Sequence, residues 1–276
     1  MSYHLGETSV TSTFRDITAN RVLVLRNSDP AIAQIVKLAA PMSFDWLRDT
    51  FRHDHGVKDS LDWGKAILSD VAQLDQYLHT YGLMVNAQWR EFTKNFEFAE
   101  EPLRVIDYGC GQGLAAVALS DRFGAAFRKS VKEVVLIEPS ESALIRAESV
   151  YRNVFSKAKT ACLTKKLDDL KKADFSTSSF KTLHIFSNIL DIDSFDLSAL
   201  FNRLLTSGDH IVLAVSHNRD FAGGAGRVRG IKEEVGKADH VDWIKVHESA
   251  ITEFTCGDGG KFSVIGWVAN LRIKRG

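Results

Sequence analysis

Apolar and polar positions follow two regimes along this chain, with the change near residue 100. Before it the periods are helical. Ile67, Val71, Leu74, Leu78 and Tyr81 recur at steps of four, three, four and three, which puts them in one stripe of a helix over residues 61–81. Asp59 or Ser60 can cap its start and Gly82 can end it. A second helix is expected from residue 83 to about 96. An earlier one opens at Asp29-Pro30, with the proline suited to a first turn. Residues 1–20 are rich in Ser and Thr and read as irregular, and Arg21-Val22-Leu23-Val24-Leu25 reads as a short strand.

After residue 103 short apolar runs alternate with helical segments. Strands are expected at about 104–108, 134–138, 160–164, 182–187 and 211–216. Helices are expected at 114–127, with Gly124 a weak interior point, and at 140–155. Runs that are apolar throughout fit parallel strands buried on both faces. Two longer strands, 243–255 and 261–272, flank Gly257-Asp258-Gly259-Gly260, a hairpin signal. The pattern is α/β alternation closed by a hairpin.

The chemistry concentrates at the ends of the first two runs. Val105-Ile106-Asp107-Tyr108-Gly109-Cys110-Gly111-Gln112-Gly113 breaks from strand into an acid and three alternating glycines, and Val134-Val135-Leu136-Ile137-Glu138-Pro139-Ser140 ends in a carboxylate. In an open α/β sheet, ligands lie beyond the carboxyl ends of the strands. Glycine allows a sharp strand-to-helix turn and close backbone approach there, and a carboxylate suits a ribose diol. The spacing separates the possible nucleosides. A dinucleotide fingerprint requires G-x-G-x-x-G, and this chain carries Leu114 at its third glycine.

The order D-x-G-x-G-x-G resembles motif I of the class I S-adenosylmethionine-dependent methyltransferases, and Ile137-Glu138-Pro139-Ser140-Glu141-Ser142-Ala143-Leu144 resembles that family's second motif. The resemblance is carried by residues 103–191 and continues by pattern alone beyond them. It implies a doubly wound, mostly parallel, seven-stranded Rossmann-like sheet with a C-terminal antiparallel hairpin, over residues 101–276, and a mainly helical N-terminal cap on the acceptor side, over 1–100. The implied cofactor is S-adenosyl-L-methionine. It would be held by Asp107, Tyr108, Gly109, Cys110, Gly111, Gly113, Glu138 and Pro139, with Asp168 near the adenine, Ser187 and Asn188 near the methyl, and Tyr81 from the cap. For Glu138 the alternative is a structural salt bridge. For Asp168 it is a solvated mixed-charge run, Lys165 to Lys172.

Bulk properties narrow the remaining classes. The chain has 276 residues, 45% of them hydrophobic, enough for one large domain or two small ones. Lys+Arg and Asp+Glu are both 35, which argues against a dedicated polyanion binder. The unidentified acceptor is therefore expected to be a small molecule or protein side chain. A nucleic-acid acceptor rests only on the stretch 157–172 and on Arg227 and Arg229, and a protein partner is compatible with the sequence. Three widely spaced cysteines give no zinc or disulfide pattern, so the expectation is a reducing cytoplasmic setting without a metal. No secretory signal or membrane-length apolar run is evident.

On the acceptor side, Asn188 and Asp191 follow the fourth strand, as loop residues or as ligands. Asn188 lacks the two prolines and aromatic of the branch that methylates exocyclic amines of DNA bases, and neither a Pro-Cys nucleophile nor a Lys-Asp-Lys-Glu set is found. His217, at the end of the fifth strand, is a candidate base. Residues 221–230, with three glycines between Phe221 and Arg227 and with Arg229 beyond, read as a lid or an anion-gripping loop, which makes Arg227 a candidate catalytic residue beside Asn188 and His217. Tyr81 and Trp89 are the aromatics of the preceding helices nearest this chemistry. His53, Asp54 and His55 cluster without a companion ligand motif.

Overall fold

The computed structural model describes residues 28–175, 178–219, 224–238 and 243–274. The irregular segment expected at 1–20 and the strand at 21–25 lie outside them. Seven strands form one mixed sheet in the order β3-β2-β1-β4-β5-β7-β6. Strands β1 (Leu103–Tyr108), β2 (Val131–Ile137), β3 (Lys159–Leu163), β4 (Lys181–Ser187) and β5 (Gly208–His217) are parallel. The hairpin β6 (Ile244–Cys256) and β7 (Phe262–Ile273) closes one side, with β7 antiparallel to both β5 and β6. The Gly257-Asp258-Gly259-Gly260 segment makes its turn, as the glycine cluster predicts.

Alternate residues of each central strand feed two cores. Leu103, Val105, Val134, Leu136, Leu183, Ile185, Leu213 and Val215 face one. It also holds the apolar sides of α1 (Pro30–Lys37), α2 (Phe44–Phe51), α3 (Val71–Phe92), α4 (Leu114–Ser130) and α5 (Glu141–Val154). Ile106, Tyr108, Ile137, Phe186, Val212 and Ala214 face the other, covered by α6 (Leu197–Leu204) and α7 (Gly224–Ala238). The N-terminal helices thus share a core with the sheet.

The helix boundaries before β1 differ from the sequence expectation. Residues 58–64 form a 3-10 turn (Lys58–Gly64), and the long helix starts only after Asp70, whose side chain accepts from the Gln73 N–H. Ile67, counted in the apolar stripe, is 52% exposed. The helix then runs through Gly82 to Phe92 instead of ending there. A Cβ at Gly82 would lie 2.7 Å from Leu78 and 3.5 Å from Phe44, so this glycine makes room between helices rather than capping one. Gly124, the weak point of α4, does break it, with φ 68° and ψ −152°.

A buried polar chain crosses the second core. Tyr108 Oη lies 3.0 Å from His184 Nδ1, His184 Nε2 lies 2.9 Å from His210 Nδ1, and His210 Nε2 lies 2.8 Å from the Thr206 carbonyl. The carbonyl can only accept, so each imidazole carries its proton on Nε2 and Tyr108 donates to His184. Burial holds both imidazoles below the usual histidine range, and the positive charge of Arg104 acts in the same direction. As pH falls below the unfolded value of about 6.5, the unfolded chain takes up protons that the folded one refuses. The pair then costs stability at about 1.4 kcal/mol per pH unit per histidine. Asp107 and Glu138, raised by burial, work in the opposite sense. The expected result is therefore a difference: urea unfolding of the His184→Gln, His210→Gln variant loses stability less steeply than the parent between pH 6.5 and 5. Identical slopes would show that the pair does not titrate on unfolding.

Candidate active site

The turn after β1 is built by three glycines under three different constraints. All have positive φ: 60° at Gly109, 51° at Gly111 and 86° at Gly113. A Cβ at Gly109 would lie 2.9 Å from Ile189, and one at Gly113 would lie 3.1 Å from Val150. These two serve close packing. At Gly111 a Cβ would meet nothing within 4 Å, so its backbone borders open space. The Cys110 N–H donates to the Ile137 carbonyl (3.1 Å), tying the turn to the end of β2.

Glu138 follows β2 and is 8% exposed. One carboxylate oxygen accepts from the Gly111 N–H at 3.0 Å and the other from the Ser140 N–H at 2.9 Å. Burial raises its pKa, and those two hydrogen bonds oppose the rise. Each oxygen keeps a further lone pair for a ligand donor. Its partners are backbone amides, not the basic side chain of the alternative reading. Asp107 is fully buried. Its Oδ2 accepts from Tyr151 Oη at 2.6 Å, and its Oδ1 has no partner among the described residues. Burial pushes its pKa to about 7.

A cavity of about 410 Å³ opens at this carboxyl edge of the sheet, within the roughly 300–1,000 Å³ usual for small-molecule sites. Gly109, Gly111, Glu138 and Pro139 line one side, and Asp168, Ser187 and Asn188 another. Asp168 sits in the short turn Leu167–Asp169 after β3 and accepts from the Asp196 N–H. Asn188 has φ 53°, a conformation that asparagine tolerates better than most residues. It is fixed there by its N–H to the Val215 carbonyl and by a reciprocal amide pair with the buried Gln88, at 3.1 and 2.7 Å. Next to it, Ser187 Oγ accepts from the Trp89 indole N–H at 3.0 Å. Helix α3 thus clamps the loop after β4.

A second cavity, about 280 Å³, shares Gly64, Lys65, Tyr77, Asn188 and Ile192 with the first. Tyr81, Met84, Asp191, His217 and Arg219 complete much of its wall. Trp63, 81% exposed, stands at it on a left-handed pair of residues, Asp62 with φ 43° and Trp63 with φ 56°. Burial and the neighbouring Arg219 hold the His217 imidazole below its usual range, so it is neutral near pH 7 and able to take a proton.

Several residues singled out in the sequence sit elsewhere. Tyr108 points into the second core toward His184, and Asp107 and Gly113 lie beneath the turn without lining either cavity. Cys110 is buried, and burial with the nearby Asp107 and Glu138 pushes its thiol well above the usual range. Tyr81 lines the second cavity and not the first. Residues 224–230, expected in a loop, belong to helix α7, while 221–223 lie outside the described residues. Arg227 lines neither cavity. Its guanidinium donates to the Leu190 and Phe195 carbonyls and stacks 4.8 Å from the Phe195 ring, so it braces the loop after β4.

Other contributors are not singled out by the sequence. Gln112, an x position inside the glycine motif, and Tyr77 and Ile192, outside any motif, line the cavities, and Gln88 and Arg219 hold their walls. His55 lies 3.5 Å from Asp75, so part of the His53–His55 cluster packs on α3.

No family model matches this chain, and no curated protein matches it. Solved structures do. A S-adenosylmethionine-dependent methyltransferase from Leishmania major is 13% identical, with TM-score 0.45, over 82% of this chain and 91% of that one. The plantazolicin methyltransferase BpumL, in complex with S-adenosylhomocysteine, is 11% identical, with TM-score 0.44, over 84% and 98%. The magnesium protoporphyrin IX methyltransferase of Synechocystis, also with S-adenosylhomocysteine, is 14% identical, with TM-score 0.38, over 82% and 98%.

Proposed function

We propose that this chain is a S-adenosylmethionine-dependent methyltransferase whose acceptor is a small molecule or a protein side chain. The observation that carries the reading is Glu138. It is a buried carboxylate beyond β2, fixed by the Gly111 and Ser140 amides, beside a turn whose middle glycine borders open space. That donor set fits a nucleoside. Two free lone pairs can accept from a ribose diol, and the D-x-G-x-G-x-G spacing disfavours a dinucleotide. The orphaned Asp107 Oδ1 lies under the turn and lines neither cavity, so in this reading it would meet an amino group of the same ligand only across a bridging water. When bound, S-adenosylmethionine contributes a methyl made electrophilic by its sulfonium.

The protein's part is alignment and proton removal. Glu138, Pro139 and Asp168 line the nucleoside side of the first cavity. Asn188, locked by Gln88, stands where the two cavities meet. His217 faces the second cavity in a form that accepts a proton. In this reading the described residues 28–100, part of the expected cap over 1–100, serve the acceptor side of a cofactor-binding unit expected over 101–276, with Trp63, Lys65, Tyr77, Tyr81 and Met84 on the wall of the second cavity. No described helix is long and apolar enough to cross a membrane, and the balance of 35 basic and 35 acidic residues gives no general attraction for nucleic acid.

Calorimetric titration tests the reading. S-adenosylmethionine and S-adenosylhomocysteine are expected to bind and nicotinamide dinucleotides are not. Tight dinucleotide binding without S-adenosylhomocysteine binding would overturn it. Turnover of the methyl donor against fractionated extracts then separates an enzyme from a non-catalytic sensor of the same ligand.

A further inference from the structure

Asp191 presents an unmet demand inside the second cavity. It lines that cavity, is 8% exposed, and its Oδ1 has no hydrogen-bond partner among the described residues. Its other oxygen accepts from Arg219 at 3.3 Å. A buried carboxylate oxygen without a donor costs free energy until something supplies one. A carboxylate cannot donate, so the missing partner must bring an N–H or O–H of its own.

The surrounding wall narrows that partner. Tyr77 and Tyr81 pack with ring centroids 5.0 Å apart and line the cavity together with Met84. Aromatic faces attract cations, and a flat apolar body packs well against them. Asp191 is the buried member of an ion pair with Arg219, whose side chain is 37% exposed against 6% for that of Asp191, and Lys65 is exposed, so the deepest charged group on this wall is the carboxylate. An acceptor that buried a carboxylate or phosphate beside Asp191 would add a second negative charge there. The volume of about 280 Å³ accommodates a compact ring with a short arm.

Resting on the methyltransferase reading above, we infer that the acceptor is a primary or secondary amine carried on a small aromatic body, with Asp191 Oδ1 receiving an amine N–H and the Tyr77–Tyr81 pair holding the body. The amine arrives as its ammonium, the form that the aromatic faces attract, and gives one proton to the neutral His217 imidazole, which passes it to solvent. The freed lone pair makes the new N–C bond as the methyl carbon's bond to sulfur breaks, and that bond's electron pair stays on sulfur. The methylated nitrogen keeps its remaining protons and leaves as an ammonium. Asp191 orients the nitrogen by accepting an N–H, leaving the lone pair free.

The test is binding to protein saturated with S-adenosylhomocysteine, using three probes of matched size: phenethylamine, 2-phenylethanol and phenylacetate. Phenethylamine is expected to bind at least tenfold more tightly than either of the others. Asp191→Asn should erase that preference without changing S-adenosylhomocysteine affinity, which also reports that the variant is folded. Asp191 does not line the first cavity, so the two readouts are separable. Binding of S-adenosylhomocysteine with no amine preference, or with preference for the alcohol or the acid, overturns the amine assignment alone. An Asp191→Asn variant that keeps the preference also overturns it. Failure of S-adenosylhomocysteine to bind the parent overturns the methyltransferase reading, and this inference with it.

Discussion

Gly111→Val is expected to abolish S-adenosylhomocysteine binding, weakening it by on the order of 100-fold or more, about 3 kcal/mol. Two effects act together. At φ 51° a β-branched residue is strained, at about 1–3 kcal/mol. The valine side chain also projects into the one part of the turn that is open, where a ligand must approach the backbone. The same change at Gly113 would fail for another reason, collision with Val150 on α5, and would damage folding first. Glu138→Ala keeps the fold and loses the ribose acceptor. Each charge-assisted hydrogen bond lost costs about 1.5–3 kcal/mol, so affinity should fall by roughly ten- to a hundred-fold. Calorimetry on folded variants checks both. Parental affinity in Glu138→Ala would make the carboxylate a purely structural link between Gly111 and Ser140.

These two residues were legible in the sequence because their constraints are local. A strand that must turn sharply into a helix writes its glycines into a few consecutive positions, and an apolar run that ends in an acid marks a strand end. The alternation of runs also predicted β1 to β5 and the closing hairpin, with ends displaced by a few residues. What escaped was set by contacts distant in sequence. Gly82 reads as a helix stop but fills the narrow space against Leu78 and Phe44. Ile67 fits the helical stripe but lies in the irregular stretch between the 3-10 turn and Asp70, the actual cap. Gln88 and Asn188 are 100 positions apart, and no local spacing pairs them. The glycines of 224–230 suggested a loop, yet Ala225, Val228 and Ile231 are buried and hold that segment as one face of α7. Ala225, Val228 and Ile231 stand three apart, a helical signal that the glycines masked.

Arg146→Met should cost the most stability of any single change considered, about 3–5 kcal/mol. Arg146 has no exposed surface and joins three parts of the chain. Its Nε and Nη2 donate to the two oxygens of Asp29, the cap of α1, at 2.7 and 3.0 Å. Its Nη1 donates to Asp75 of α3 at 2.7 Å and to Gln112 of the glycine turn at 3.2 Å. Gln112 in turn donates to the Leu74 carbonyl. Methionine fills much of the volume but leaves the buried Asp29 and Asp75 carboxylates without the guanidinium, with only the partly exposed His55, 3.5 Å from Asp75, beside them, and that poorly compensated charge, more than the lost contacts, sets the cost. The distinction is measurable. Adding Asp29→Asn and Asp75→Asn to Arg146→Met removes both charges, so the triple variant should regain most of the lost stability in urea unfolding. A single variant within about 1 kcal/mol of the parent, the range of an ordinary exposed ion pair, would mean that water reaches the network. A triple variant no better than the single one would place the cost in packing around Phe51, which the guanidinium covers at 5.9 Å. Since Gln112 lines the first cavity, the single variant should also bind S-adenosylhomocysteine more weakly. The buried arginine thereby links the folding of the N-terminal helices to the shape of the turn that would meet the methyl donor.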